Sequence, residues 1–129
     1  MPWTFVRFSE LIEARKQYEA DFAERASADV ARLKGIALES AAQRIATEKH
    51  DWREFNREVL AFENGRNDPT TLKLISEPGT RFPYYAFSAH GFTLVYHCDA
   101  QTKVARPVVF YRDMDWIEKL YAFWRRLKP

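Results

Sequence analysis

Apolar positions along the chain change their period twice, and the changes divide it into a helical stretch, a connector and a β-like stretch. From Leu11 the apolar residues Leu11, Tyr18, Phe22, Ala26, Val30, Leu33 and Ala37 fall three, four or seven apart, the spacing of one helix face. Ser27 offers a restart and Gly35 a bend. Ile36, Leu38, Ala41, Ala42 and Ile45 continue with small and aliphatic side chains that let helices approach closely. Asp51-Trp52-Arg53-Glu54 reads as a fresh N-cap with Glu54 at the reciprocal position. Trp52, Phe55, Val59 and Phe62 then share a face, and Asn64-Gly65 ends the run, with the glycine expected to take a left-handed turn. Residues 9–64 are expected to be helical, in two or three antiparallel pieces.

Ahead of that block, Trp3 to Phe8 is rich in β-formers and precedes Ser9, a good N-cap, so a short strand should feed the first helix. After Gly65 turn-forming residues take over, leaving room for one short extended piece between Leu72 and Ile75. From Tyr84 the spacing predicts three short strands: Tyr84 to Ser88, Phe92 to Cys98 and Lys103 to Tyr111, joined by turns at Ala89-His90-Gly91 and at Asp99 to Thr102. In the middle strand Phe92, Leu94, Tyr96 and Cys98 point one way and Thr93, Val95 and His97 the other, and apolar residues on both sides imply partial cover of both. Pro107 cannot donate to a ladder, which puts it at an edge, a bulge or an outward-facing position. Asp113 or Asp115 should start a final helix with Trp116, Leu120, Phe123 and Leu127 on one stripe and Arg125, Arg126 and Lys128 near its C-terminus. The pattern predicts a single α+β domain over 1–129. It comprises an N-terminal strand, a long helical block over 9–64, a three-stranded antiparallel meander and a C-terminal helix, with sheet and closing helix spanning 70–127.

Composition narrows the class. At 129 residues, 47% apolar and 29% charged, the chain is long enough to bury a core without disulfides or metals. The aromatic share of 16% supplies rings for that core, and also rings of the kind that anchor interfaces or stack on bases. Cys98 is the only cysteine, so no internal disulfide forms, and a cytoplasmic, reducing location is the expectation. The first residues carry neither a basic leader nor a long apolar run, and no membrane span is expected. Charge is uneven: residues 1–65 hold 10 basic and 12 acidic side chains, residues 66–129 hold 10 basic and 6 acidic, which biases the C-terminal half toward an anionic partner.

The layout of strand, helical hairpin, meander and closing helix resembles the RelE/ParE superfamily of bacterial toxins from toxin-antitoxin operons. The local texture is similar too over residues 68–121: Asp68 and Leu72-Lys73-Leu74 before the sheet, Tyr84-Tyr85 entering it, Gly91-Phe92-Thr93-Leu94-Val95-Tyr96 as central strand, and Val108-Val109-Phe110-Tyr111-Arg112-Asp113 with Tyr121 closing. Members commonly place an arginine where this chain has Thr93, and their helical hairpin is shorter. The resemblance implies an antitoxin partner and one of two activities, cleavage of messenger RNA in the ribosome or poisoning of gyrase.

Cleavage by 2′-hydroxyl attack needs a base, an acid and cations for the charge that builds on phosphorus. On the resemblance, Arg106, Arg112, His97 and Tyr111 are the catalytic candidates, Lys73 and His90 the substrate-binding ones, and Asp113 a possible orienting carboxylate. Each has a plainer reading: His97 a packed histidine, His90 a solvated turn residue, Arg112-Asp113 a helix start, Lys73 an exposed strand lysine that discourages edge pairing. No metal or other cofactor is expected, since the donors His90, His97 and Cys98 lack the second cluster a zinc site needs. No nucleophile elbow or phosphate loop occurs. The competing expectation is a non-catalytic binding module, an immunity or antitoxin-like protein that uses the acidic helical block as its surface.

Overall fold

The computed structural model describes residues 2–77, 79 and 81–113. The closing helix expected from Trp116 onward, and Tyr121, lie outside the described residues.

Two helices carry the helical block. A 3-10 turn, Phe8–Glu10, absorbs Ser9, and helix α1 starts only at Ile12, running to Arg32 with no side-chain cap on Leu11. Gly35 then adopts φ of 62°, which lets the chain reverse into α2, Gly35–Asn64. The restart expected at Asp51 does not occur, because neither glycine nor proline interrupts residues 36–64 and the interior of α2 tolerates the Asp-Trp-Arg-Glu sequence without a break. At its end the left-handed residue is Arg66, with φ of 51°, and not Gly65, whose φ is −73°. Gly65 serves by its lack of bulk: a Cβ there would lie 2.7 Å from the Asn67 amide nitrogen and 3.2 Å from the Ala61 carbonyl.

The sheet differs from a plain three-stranded meander. Five strands line up in the order β1-β5-β4-β3-β2, with β1 (Thr4–Phe5), β2 (Lys73–Leu74), β3 (Tyr84–Ala89), β4 (Phe92–Asp99) and β5 (Val104–Arg112). β3, β4 and β5 pair consecutively and antiparallel, β2 adds antiparallel to β3, and β1 adds parallel to β5, making the sheet mixed. The two edge strands are two residues each, and they fall within the short extended pieces expected from Trp3 to Phe8 and from Leu72 to Ile75. Val95 faces Val109 while Tyr96 faces Pro107, so Val108 is the extra residue of a bulge. That bulge accommodates Pro107, beyond the reach of β1, whose pairs end at Ala105.

Cross-strand partners share a side of the sheet, and the strand registers therefore assign every strand residue to a face. Phe92, Leu94, Tyr96 and Cys98 face the helices, as the alternation predicts, with Ala105 and Phe110 beside them. Phe55 and Val59 of α2 and Trp3 and Phe8 of the N-terminal segment complete that core. Its contacts include edge-to-face rings: Phe8 lies 5.7 Å from Phe55 and 5.2 Å from Phe110, and Tyr18 5.4 Å from Phe92. On the opposite face Thr93 and Val95 are buried as well.

Two glutamates sit inside this apolar framework. Glu63, 5% exposed, accepts the Phe8 N–H at 3.0 Å and the Tyr96 hydroxyl at 2.7 Å, which clamps the end of α2 to the N-terminal segment and to β4. Burial raises its carboxyl above the ordinary range, and the two hydrogen bonds offset only part of that. Glu48 ties α1, α2 and β5 together.

Candidate functional site

The registers bring Tyr84, His97 and Arg106 into one row across the three central strands, on the face away from the helices. Tyr84 pairs with His97 in the β3–β4 hairpin, and His97 pairs with Arg106 between β4 and β5. The two-residue loop His90-Gly91 sets the first pairing, because Ala89 faces Phe92 and counting outward from there puts Tyr84 opposite His97. His90 takes the left-handed conformation this tight loop demands, with φ of 51°.

The imidazole of His97 is flanked by rings, the Tyr84 centroid at 5.0 Å and the Phe82 centroid at 5.5 Å. The Arg81 guanidinium lies 5.1 Å from the Phe82 ring. His97 and Arg106 line a cleft of about 390 Å³ together with Phe82, Asp99, Thr102 and Val104. Arg106 is exposed and Tyr84 is 40% exposed, so phenol, imidazole and guanidinium are reachable side by side. Asp99 is committed to the loop: its carboxylate accepts the Gln101 N–H at 2.9 Å and the Thr102 N–H at 3.4 Å. Desolvation pushes its carboxyl up, but the hydrogen bonds from Gln101 and Thr102 and the charge of Arg81 together hold it below the ordinary carboxylate range.

Of the six candidates from the sequence, the row unites His97 and Arg106. Tyr111 shares their face but pairs with Thr93, four residues from His97 along β4, or about 13 Å at the usual rise of a strand. Lys73, opposite Ala86, is on that face too, two positions off the row and exposed. Asp113 accepts a hydrogen bond from Thr93 at 2.8 Å, which in turn is 2.8 Å from Ser88, so it orients a hydroxyl pair and not His97. His90 leaves the site altogether: its Nε2 lies 3.1 Å from the Glu58 carboxylate on α2.

Arg112 is on the other side of the sheet. Paired with Phe92, it faces the helices, and its Nε lies 3.5 Å from the Glu48 carboxylate. Glu48, 6% exposed, also accepts the Tyr18 hydroxyl at 2.6 Å and an Arg25 N–H at 2.9 Å. Burial alone would raise its carboxyl, but the hydrogen bonds from Arg25 and Tyr18 and the charges of Arg112 and Arg25 together hold it below the ordinary range. Burial and the Glu48 carboxylate push the Tyr18 phenol strongly upward.

Sequence reasoning passed over Tyr84, Phe82 and the Glu48 group. Tyr84 was within reach, since loop length fixes hairpin register. Glu48 also left a trace: it falls seven residues after Ala41 and seven before Phe55, a charge on the buried stripe of a helix. Among the described residues no group of three or more His, Cys, Asp or Glu could hold a metal, and no helix is long and apolar enough to cross a membrane. Comparison with protein-family models, curated proteins and solved structures finds no match to this chain.

Proposed function

We propose that the chain is a RelE/ParE-like toxin that cleaves messenger RNA, and that the row Tyr84, His97, Arg106 is its reactive centre. The observation that carries this reading is the placement of a phenol, an imidazole and a guanidinium on adjacent strands in direct register. In this mechanism the 2′-oxygen attacks phosphorus as its proton passes to His97, and Arg106 holds the charge that develops on the phosphoryl oxygens. The bond from phosphorus to the 5′-oxygen breaks, and that oxygen leaves with a proton from the Tyr84 hydroxyl. The products are a 2′,3′-cyclic phosphate end and a 5′-hydroxyl end, and proton exchange with water restores His97 and Tyr84. Phe82 and Tyr84 offer faces for base stacking, and Lys73 and Arg81 add positive charge near the path of the strand.

A second reading, the non-catalytic binding module, draws support from the ion pair that holds Arg112 with Glu48, away from the row. Controlled induction in a bacterial culture separates the two, run beside a His97→Ala/Arg106→Ala variant with transcripts recovered for mapping. The proposal expects growth arrest with cut transcripts, relieved in the variant. Arrest with intact transcripts would point to gyrase, and normal growth at high soluble expression would favour the binding module.

A further inference from the structure

The facing sides of α1 and α2, with Arg112 of β5, line a second, half-open cleft, also about 390 Å³, within the size range of small-ligand sites. Ala26 and the fully buried Ala41 stand in its lining. Arg25, Asp29, Arg44, Thr47, Glu48 and Arg112 supply polar walls.

The charges in this cleft do not balance. Asp29 is bound by Arg32 at 3.1 Å. Glu48 is then the one remaining carboxylate of the lining, set against Arg25 and Arg44. Arg44 forms no ion pair among the described residues. Arg25 gives Glu48 N–H groups from both terminal nitrogens, at 3.4 and 2.9 Å, and a guanidinium has five N–H donors in all. Its side chain is 54% exposed, so the group that Glu48 orients remains open to a ligand. An excess of positive charge between low-dielectric walls concentrates anions, and guanidinium forks match phosphate oxygens in geometry.

We infer that the α1–α2 cleft binds a phosphate group through Arg25 and Arg44, with Arg112 in its wall, as carried by a free nucleotide or by the end of an RNA strand. This site lies on the helix-facing side of the sheet, opposite the row, and does not depend on the ribonuclease reading.

The test is an amide NMR titration of the full chain with inorganic phosphate, adenosine 5′-monophosphate, and short RNAs with and without a 5′-phosphate, at constant ionic strength. Saturable shifts at Arg25, Arg44 and Thr47 are expected, weakened about tenfold in Arg44→Ala and unchanged in His97→Ala. Tighter binding of 5′-phosphorylated RNA than of the mononucleotide identifies an RNA end as the source, and the reverse order identifies the nucleotide. Arg44→Ala is the deciding variant, because Arg25→Ala strips a buried carboxylate of one of its partners and threatens the fold. The absence of saturable shifts with every probe, or undiminished shifts in folded Arg44→Ala, would overturn the inference.

Discussion

Glu48 and Glu63 are both buried in α2, yet acid should act on them in opposite directions. The Glu48 carboxyl is held below its ordinary value of 4.5, so its contribution to stability is complete above that value and is lost as pH falls through the lower folded one. Glu63 is raised above 4.5, so its contribution is complete below that value and is lost as pH rises through the higher folded one. A charge-assisted hydrogen bond contributes about 1.5–3 kcal/mol, which suits the short bond from Tyr18. The Arg25 pair has one exposed end and contributes about 0–1 kcal/mol more. Glutamine keeps an acceptor but not the charge, so Glu48→Gln should cost about half of the total, roughly 1–2 kcal/mol at neutral pH. Urea unfolding followed by tryptophan fluorescence, repeated from neutral pH down to about pH 3, reads both variants. The gap between wild type and Glu48→Gln should shrink across that range while the gap between wild type and Glu63→Gln widens. Two gaps that move together, or stay flat, would refute the assignment of these carboxyls.

Three further outcomes follow from packing. Phe55, fully buried among aromatic rings, should cost about 3–5 kcal/mol on replacement by Ala in the same unfolding assay. The Cys98 thiol is 1% exposed and burial pushes it up to about 12, so a disulfide reagent should label it only after denaturant unfolds the chain. Both His90→Gly and His90→Ala lose the Glu58 contact, but only Gly relieves the left-handed backbone at φ of 51°, so His90→Gly should be neutral or stabilising and His90→Ala destabilising by about 1 kcal/mol or less by thermal melting.

Local rules reached far into this fold but stopped at long-range pairing. Helix faces, the β4 alternation and the room for a short strand near Leu72 were all legible because each is a matter of period or turn chemistry within a few residues. The parallel pairing of Thr4 with Val104 was not, since it joins positions separated by the whole helical block. Asp51-Trp52-Arg53-Glu54 misled because a capping box and a helix interior use the same residues, and only the missing break between them decides. Of the site, His97 and Arg106 were legible as chemistry, and their adjacency needed the turn at Asp99 to Thr102 to set register. Arg112 was grouped with Arg106 as a catalytic candidate on the family resemblance. An even separation would keep two residues on one side, but the bulge at Val108 adds a residue and sends Arg112 to Glu48.

The proposed cleavage of RNA by the row is tested most directly with the purified chain and a defined messenger RNA, alone and with translating ribosomes. Wild type should yield fragments with 2′,3′-cyclic phosphate and 5′-hydroxyl ends, and His97→Ala should slow that cleavage by about 10²–10⁴-fold while its unfolding transition stays that of wild type. Intact RNA under both conditions with folded wild type, or cleavage undiminished in His97→Ala and Arg106→Ala, would contradict the account.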